Sequence, residues 1–226
     1  MAPRKTVAQH GDKRKRFDDS LFRSPQHFER YALQFKTAPI IQERQVYLDD
    51  LKDSFIPSCF EGQGWDKLLG EFLEICDPLI REFYANASLK EEHIECWVRG
   101  HEFTLDIENI DDLLGFEDQN HEGGSLNTAS FPLDLRCLAY IMIFNLNPIK
   151  KLSTINNARA IFLMELRENT NIDISAHLYN IIVDSIKTTS RSKLVTPNFI
   201  MRILYNKGVE TPQNIGLMTP TPPIDS

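Results

Sequence analysis

Apolar residues recur along this chain at steps of three and four, separated by short polar breaks. The clearest run is Trp65, Leu68, Leu69, Phe72, Leu73, Cys76, Leu79, Ile80 and Phe83, one apolar stripe on a helix. Pro78 interrupts it. A proline removes a backbone donor and crowds the preceding turn, so the helix kinks or restarts there, with Asp77 placed to cap the restart. Leu79, Ile80 and Phe83 carry the stripe to the helix end. Tyr84 then brings an aromatic body with a polar tip to the core edge, Ala85 allows close approach, and Asn86 ends the helix in the left-handed conformation.

Earlier in the chain, Ser24 and Pro25 read as the N-cap and first residue of a short helix with Phe28, Tyr31 and Phe35 on one face. Ile40 to Phe55 mixes both periods and reads as an extended start passing into a helix. Ile94–Val98 and Glu102–Leu105 read as two strands around a tight turn at Arg99-Gly100. Asp106 caps a helix carrying Ile107, Ile110, Leu113 and Leu114, which Gly115 closes. Residues 117–130 are an acidic loop containing Gly and Asn. Pro132 opens a helix to about Phe144, ended by Asn147-Pro148. Ile155, Ala158, Ile161, Phe162 and Leu166 mark another. Ser175 is expected to cap the next, with Leu178, Ile181, Ile182 and Ile186 on its face. Pro197 opens the last, and Gly208 closes it. The pattern predicts a mainly α fold. One compact helical domain over residues 21–210, with a small antiparallel β-hairpin, lies between a disordered basic arm (1–20) and a disordered Pro/Thr-rich tail (211–226).

Charge changes this picture at one end. The chain of 226 residues has a net charge of −7, but residues 1–16 hold six basic side chains against one acid. The rest carries a net charge of −12. Such a body repels a nucleic-acid backbone, so binding to DNA or RNA is expected through the arm alone. Lys13, Arg14, Lys15 and Arg16 form a cluster of the kind that nuclear import receptors read, or else a merely solvated arm. Nuclear localisation is the expectation, with the cytoplasm as the alternative. Cys59, Cys76, Cys96 and Cys137 are scattered without a CxxC pair and read as reduced thiols. The start of the chain has no apolar secretory segment, and its longest apolar run, Leu138–Phe144, is far short of the roughly 18–20 residues a membrane span needs.

The candidate chemistry is thin. His93, Cys96 and His101 have metal-like spacing but lack a fourth ligand, so no metal site is assigned. Asp106, Glu108, Asp111 and Asp112 cluster at the start of one helix, where carboxylates meet the helix dipole favourably. Two-metal nucleases need acids converging from separate elements. There is no P-loop, GxSxG, HExxH or GxGxxG. No catalytic or cofactor-binding residue is assigned, and no enzyme activity is expected. Arg99 has three readings: a solvated turn residue, a structural ion pair with Glu82 or Glu95, or a site for a phosphate or a partner's carboxylate.

Several short motifs, taken in order, resemble the putative plant transposon protein domain, found near retroelement remnants. They are Glu43-Arg44, Gly64-Trp65, the run Leu79 to Phe83-Tyr84-Ala85-Asn86, and Val98-Arg99-Gly100. Leu146-Asn147-Pro148, Ser153, Ala158-Arg159 and Ile172-Asp173-Ile174 follow, so the resemblance covers roughly residues 25–210. The chain departs from the family pattern at Ile149-Lys150-Lys151-Leu152, where a basic residue and His are common, and its 117–130 loop is short. The segment from Trp97 to Phe116 is also similar to part of the plant mobile domain. The resemblance implies a plant protein of transposon or retrotransposon origin with no established activity. The expectation is a non-catalytic module that binds protein, or nucleic acid through its arm, with no cofactor and no membrane contact. The alternatives are a degenerate nuclease or integrase-like remnant using the clustered carboxylates, and a coding remnant without present function.

Overall fold

The structure, a computed structural model, describes residues 18–61, 65–70, 72–114, 131–148, 155–170, 172–189, 193–213 and 215–219. The basic cluster Lys13–Arg16, Gly64, Gly115, the 117–130 loop, the 149–152 departure and Ser153 lie outside these residues. Helices dominate, with one small sheet, as the periodicity predicts. The first helix, α1 (Pro25–Arg30), continues as a π-helical turn over Tyr31–Phe35. Ser24 is its N-cap, but its hydroxyl bonds His27 Nδ1 (2.8 Å) rather than the backbone. The 40–55 stretch is shorter in its elements than expected. Ile40 bridges Leu194, and a single 3₁₀ turn covers Leu48–Leu51.

The long apolar stripe divides. A one-turn helix α2 (Asp66–Leu69) ends before Gly70, and residues 72–76 are not helical, ahead of α3 (Asp77–Asn86). The restart at Pro78 matches the expectation, but Cys76 is the N-cap and Asp77 instead binds Arg81 Nε and Nη2 (2.5 and 2.8 Å). The break exists because Ile75 is used at long range. Its N–H and C=O exchange hydrogen bonds with Met218 (3.1 and 2.8 Å). The segment expected to be a disordered tail is therefore used as far as Met218, with Ile215, Leu217 and Met218 packed on the core. Three apolar side chains among the prolines are enough to hold it there.

Next comes a three-stranded antiparallel sheet: β1 (Ser88–Leu89), β2 (Ile94–Val98) and β3 (His101–Leu105). Ile94, Cys96 and Val98 point into the core while Glu95 and Trp97 face outward, as strand alternation requires. Cys96 pairs with Phe103 and Val98 with His101, which leaves a two-residue turn. Arg99 (φ 50) and Gly100 (φ 84) both lie in the left-handed region, the geometry that matches strand twist in a two-residue hairpin.

Helix α4 (Ile107–Leu114) is capped by Asp106, whose Oδ1 accepts from Asn109 N (2.7 Å). It packs on α7. Helix α5 (Leu133–Ile141) passes into a π-helical turn, Met142–Leu146, and packs on α6 (Asn157–Arg167). The cap of α7 (Ile174–Lys187) is Asp173, accepting from Ala176 N at 2.7 Å. Ser175, the expected cap, is buried inside the helix instead, because the carboxylate two residues earlier reaches the free N–H groups first. Helix α8 (Pro197–Asn206) ends at Gly208, φ 79. The core is continuous from Phe22 to Val209, with α3 in its middle.

Candidate functional site

The run from Arg81 to Asn86 is where the fold concentrates its polar tethers. Arg81 Nη1 donates to the carbonyls of Phe35 (2.5 Å) and Ala38 (2.9 Å), closing off the end of the first helix. Glu82 receives Arg99 Nε and Nη2, both at 2.7 Å. Its side chain is 4% exposed. Burial pushes the Glu82 carboxyl up, the two guanidinium donors pull it back, and the bond to Glu82 holds Arg99 firmly charged. Of the three readings of Arg99, the ion pair with Glu82 is the one formed. Glu95 instead neighbours Lys90 (3.4 Å) and Arg23.

Phe83 and Tyr84 are fully buried, with rings edge to face at 5.3 Å. Tyr84 does not sit at the core edge. Its hydroxyl donates to the Val195 carbonyl (2.9 Å), just before α8, and burial pushes its pKa well up. Ala85 is buried as well. Asn86 does not stop the helix in a left-handed turn, since the next residue, Ala87, has φ −66 and ψ 129. Asn86 instead accepts from Arg23 N (3.1 Å) and donates to Leu21 O (2.9 Å), imitating a strand partner for the incoming chain. One helix thus binds four separate segments, each through a different polar side chain. Tyr84→Phe is expected to lose about 1–2 kcal/mol, because the buried Val195 carbonyl is left unsatisfied. Urea unfolding checks this, and an unchanged midpoint would contradict the tether.

A second polar node lies across the core. Glu43 is buried, and its carboxylate accepts from Asn198 N (3.1 Å to each oxygen) and Phe199 N (3.2 Å) at the start of α8. Burial raises its pKa to about 7, against the pull of those N–H groups and of Arg202. Its neighbour Arg44 exchanges backbone bonds with the Asn145 amide (2.8 and 2.7 Å) and lays its guanidinium 4.3 Å from the centre of the Phe144 ring. His177 is half-buried, stacked on Phe162 (4.4 Å, 11°) and bonded through Nε2 to Leu146 O (2.9 Å). Burial lowers its pKa to about 4. Sequence reasoning missed Glu43 and His177 as polar groups that hold the fold. The available signal was a charged or ring-polar residue inside an otherwise apolar stretch.

Among the described residues, no three His, Cys, Asp or Glu side chains group to hold a metal ion. Cys96 is buried while His93 and His101 lie toward solvent. Glu108 and Asp112 are exposed on α4, and Asp106 is engaged as its cap. No helix of the described residues is long and apolar enough to cross a membrane.

The polar run of α3, the hairpin turn and α8 fall inside one matched region, while their partners Leu21, Arg23, Phe35, Ala38 and Glu43 precede it. A family model, the putative plant retrotransposon-related domain, matches residues 61–210. No curated protein and no solved structure matches the chain. The match begins just before α2 and ends just after α8, so it spans most of the folded core along with the motifs that carried the resemblance, save Glu43-Arg44, which precedes it. The chain therefore belongs to the putative plant retrotransposon-related domain family.

Proposed function

We propose that this retrotransposon-related domain is a non-catalytic binding module that works in the nucleus. One observation carries the reading. Four ionisable groups with displaced pKa values are engaged in holding the fold: Glu43 caps α8, Glu82 holds the hairpin turn, Tyr84 holds the approach to α8, and His177 bonds a helix-end carbonyl. Catalytic acids and bases need such displaced groups aimed at a cleft. Here Glu43, Tyr84 and His177 meet backbone groups and Glu82 meets the Arg99 guanidinium.

Binding to nucleic acid falls to the arm. Its six basic residues face phosphate while the body, at −12, opposes it. The full chain is expected to bind duplex DNA or RNA at low salt, with affinity falling as salt rises. The slope of log K against log salt is at most about five in magnitude, given about 0.9 per phosphate neutralised. Deleting residues 1–16 removes both this binding and nuclear accumulation of a tagged chain. Salt-independent binding, or binding that survives the deletion, would count against the reading. So would metal-dependent cleavage that disappears in Asp111→Asn.

A further inference from the structure

A cavity of about 360 Å³ opens between residues 50–56 and one face of α5. Its floor is Leu51 and Ile56, both buried. Its wall is one face of α5: Leu133, Cys137 and Tyr140, at i, i+4 and i+7. The opposite face of that helix, Leu138, Ala139 and Ile141, is packed in the core. Leu133 stands at the mouth and is 75% exposed, an unusual place for a leucine. The rim carries Asp50, Asp53 and Asp134, all exposed. Among the described residues none of the three takes part in an ion pair. Arg136 also lines the groove, and its Nη2 donates to Phe131 O (3.2 Å) within its own segment.

We propose that this groove docks a linear basic peptide segment of a partner protein, seating one apolar side chain against Leu51 and Ile56 and placing Lys or Arg over the three aspartates.

Charge chooses the occupant. Three carboxylates against one arginine repel phosphate, which rejects nucleic acid and an anionic lipid surface alike. The adjoining segment of this chain is mismatched too. Residues 117–130 contain Glu117, Asp118 and Glu122 and no Lys or Arg. A basic segment matches the rim, and an aliphatic or aromatic side chain matches the floor. The cavity lies within the range of about 300–1,000 Å³ typical of ligand sites. A helix face of i, i+4 and i+7 offers a straight wall along which a peptide can lie. The anchor supplies most of the affinity, as buried apolar contacts do, and the rim charges set orientation and association rate. The groove is built from residues 50–56 and 133–140 and not from residues 1–16, so its failure leaves the salt-dependent nucleic-acid binding untouched.

Cys137 provides a reporter inside the groove. It is half-exposed, whereas Cys59, Cys76 and Cys96 are buried. In the folded chain, alkylation is therefore expected to occur first at Cys137. Burial and the nearby Asp134 carboxylate push its thiol up, so labelling is slow and best followed in mildly alkaline buffer.

The experiment uses the full chain and three labelled synthetic peptides. One carries a single Phe flanked by Lys and Arg, one has Ala in place of Phe, and one has Glu in place of every basic residue. Fluorescence anisotropy is expected to show binding of the first only. The Asp53→Lys/Asp134→Lys pair should weaken it about tenfold, the joint effect of reversing two exposed rim charges. Leu133→Ser, which removes apolar contact without adding charge, should weaken it by a similar factor. Both changes lie on exposed side chains, so the variants should fold, and an unchanged urea midpoint confirms that they do. Saturating peptide should slow Cys137 alkylation at least threefold. Equal binding of the acidic peptide, indifference to the rim variants, or unprotected Cys137 would each overturn the proposal. Absence of binding by any peptide would overturn it too. Binding that appears only after residues 1–16 are deleted would give the groove to the chain's own arm and overturn the assignment to a partner.

Discussion

Arg99→Ala is expected to lose about 3–5 kcal/mol of unfolding free energy, the usual consequence of orphaning one member of a buried ion pair. Glu82 is the reason. Its side chain is 4% exposed, and its two oxygens face the two guanidinium nitrogens at 2.7 Å each. Without Arg99 the carboxylate has neither water nor a counter-charge. The backbone adds a second term. Arg99 has φ 50, where a side chain costs roughly 1 kcal/mol relative to glycine. Arg99→Gly should therefore be milder than Arg99→Ala by about that amount. The defect should also shrink in acid, because a protonated Glu82 tolerates burial. Replacing both partners together, Glu82→Met with Arg99→Met, should restore most of the stability, since an apolar pair of similar volume removes the unpaired charge. Urea titrations of the four proteins at neutral and acidic pH decide this. A loss under about 1 kcal/mol in Arg99→Ala would mean that water screens the pair as it does on a surface.

How far the sequence foretells this arrangement depends on the range of each interaction. The hairpin was legible because its determinants are adjacent: Ile94, Cys96 and Val98 alternate, and Gly100 accepts the left-handed turn. The Asp106 cap was legible for the same reason, since cap and N–H are three residues apart. The ion pair of Arg99 appeared only as one reading among three, because nothing local distinguishes Glu82 from Glu95. The restart of the Trp65–Phe83 stripe at Pro78 was legible, but the absence of helix over residues 72–76 was not. Helical spacing persists across Gly70 to Cys76, yet Ile75 takes a partner at Met218, near the other end of the chain. A long-range backbone pairing outweighs a local period that would have left that pairing unmade. The same partner drew residues 215–218 out of the expected tail. The docking groove had no signature at all. Its rim and wall come from residues 50–56 and 133–140, and only folding brings them together.

These failures share a cause with the family motif. The short run from Arg81 to Asn86 looks like an active-site signature because it is polar, specific and set in apolar sequence. Its side chains meet Phe35, Ala38, Arg99, Val195 and Leu21, all far away along the chain. A helix that must hold four non-adjacent segments needs a different polar group for each, at fixed spacing. Specificity of sequence there follows from specificity of assembly, and no reacting substrate is needed to account for it.

The same logic makes Glu43 the other residue with a large measurable effect. Its ordinary carboxyl value of 4.5 is raised to about 7 by burial, despite the N–H groups of Asn198 and Phe199 and the charge of Arg202. The folded chain thus holds this proton more tightly than the unfolded chain. Its contribution to stability is full below the unfolded value and is lost as pH rises through about 7, a change of about 3 kcal/mol for a shift of this size. His177 acts with the opposite sign. Burial lowers it from 6.5 to about 4, so its share of stability is missing in acid and returns as pH rises through that window. The wild-type profile between about pH 4.5 and 6.5 is therefore expected to be nearly flat in these two terms, and a single pH titration would hide both. The difference between proteins exposes them. Glu43→Gln keeps an oxygen for the α8 N–H groups but cannot ionise, so its stability relative to wild type should climb by about 3 kcal/mol from acid to mildly alkaline pH. His177→Gln should shift the balance the other way, falling relative to wild type as pH rises and the wild-type ring regains its neutral form. If the Glu43→Gln difference stays constant with pH, the N–H groups of α8 outweigh desolvation and the carboxylate is ionised in the core throughout.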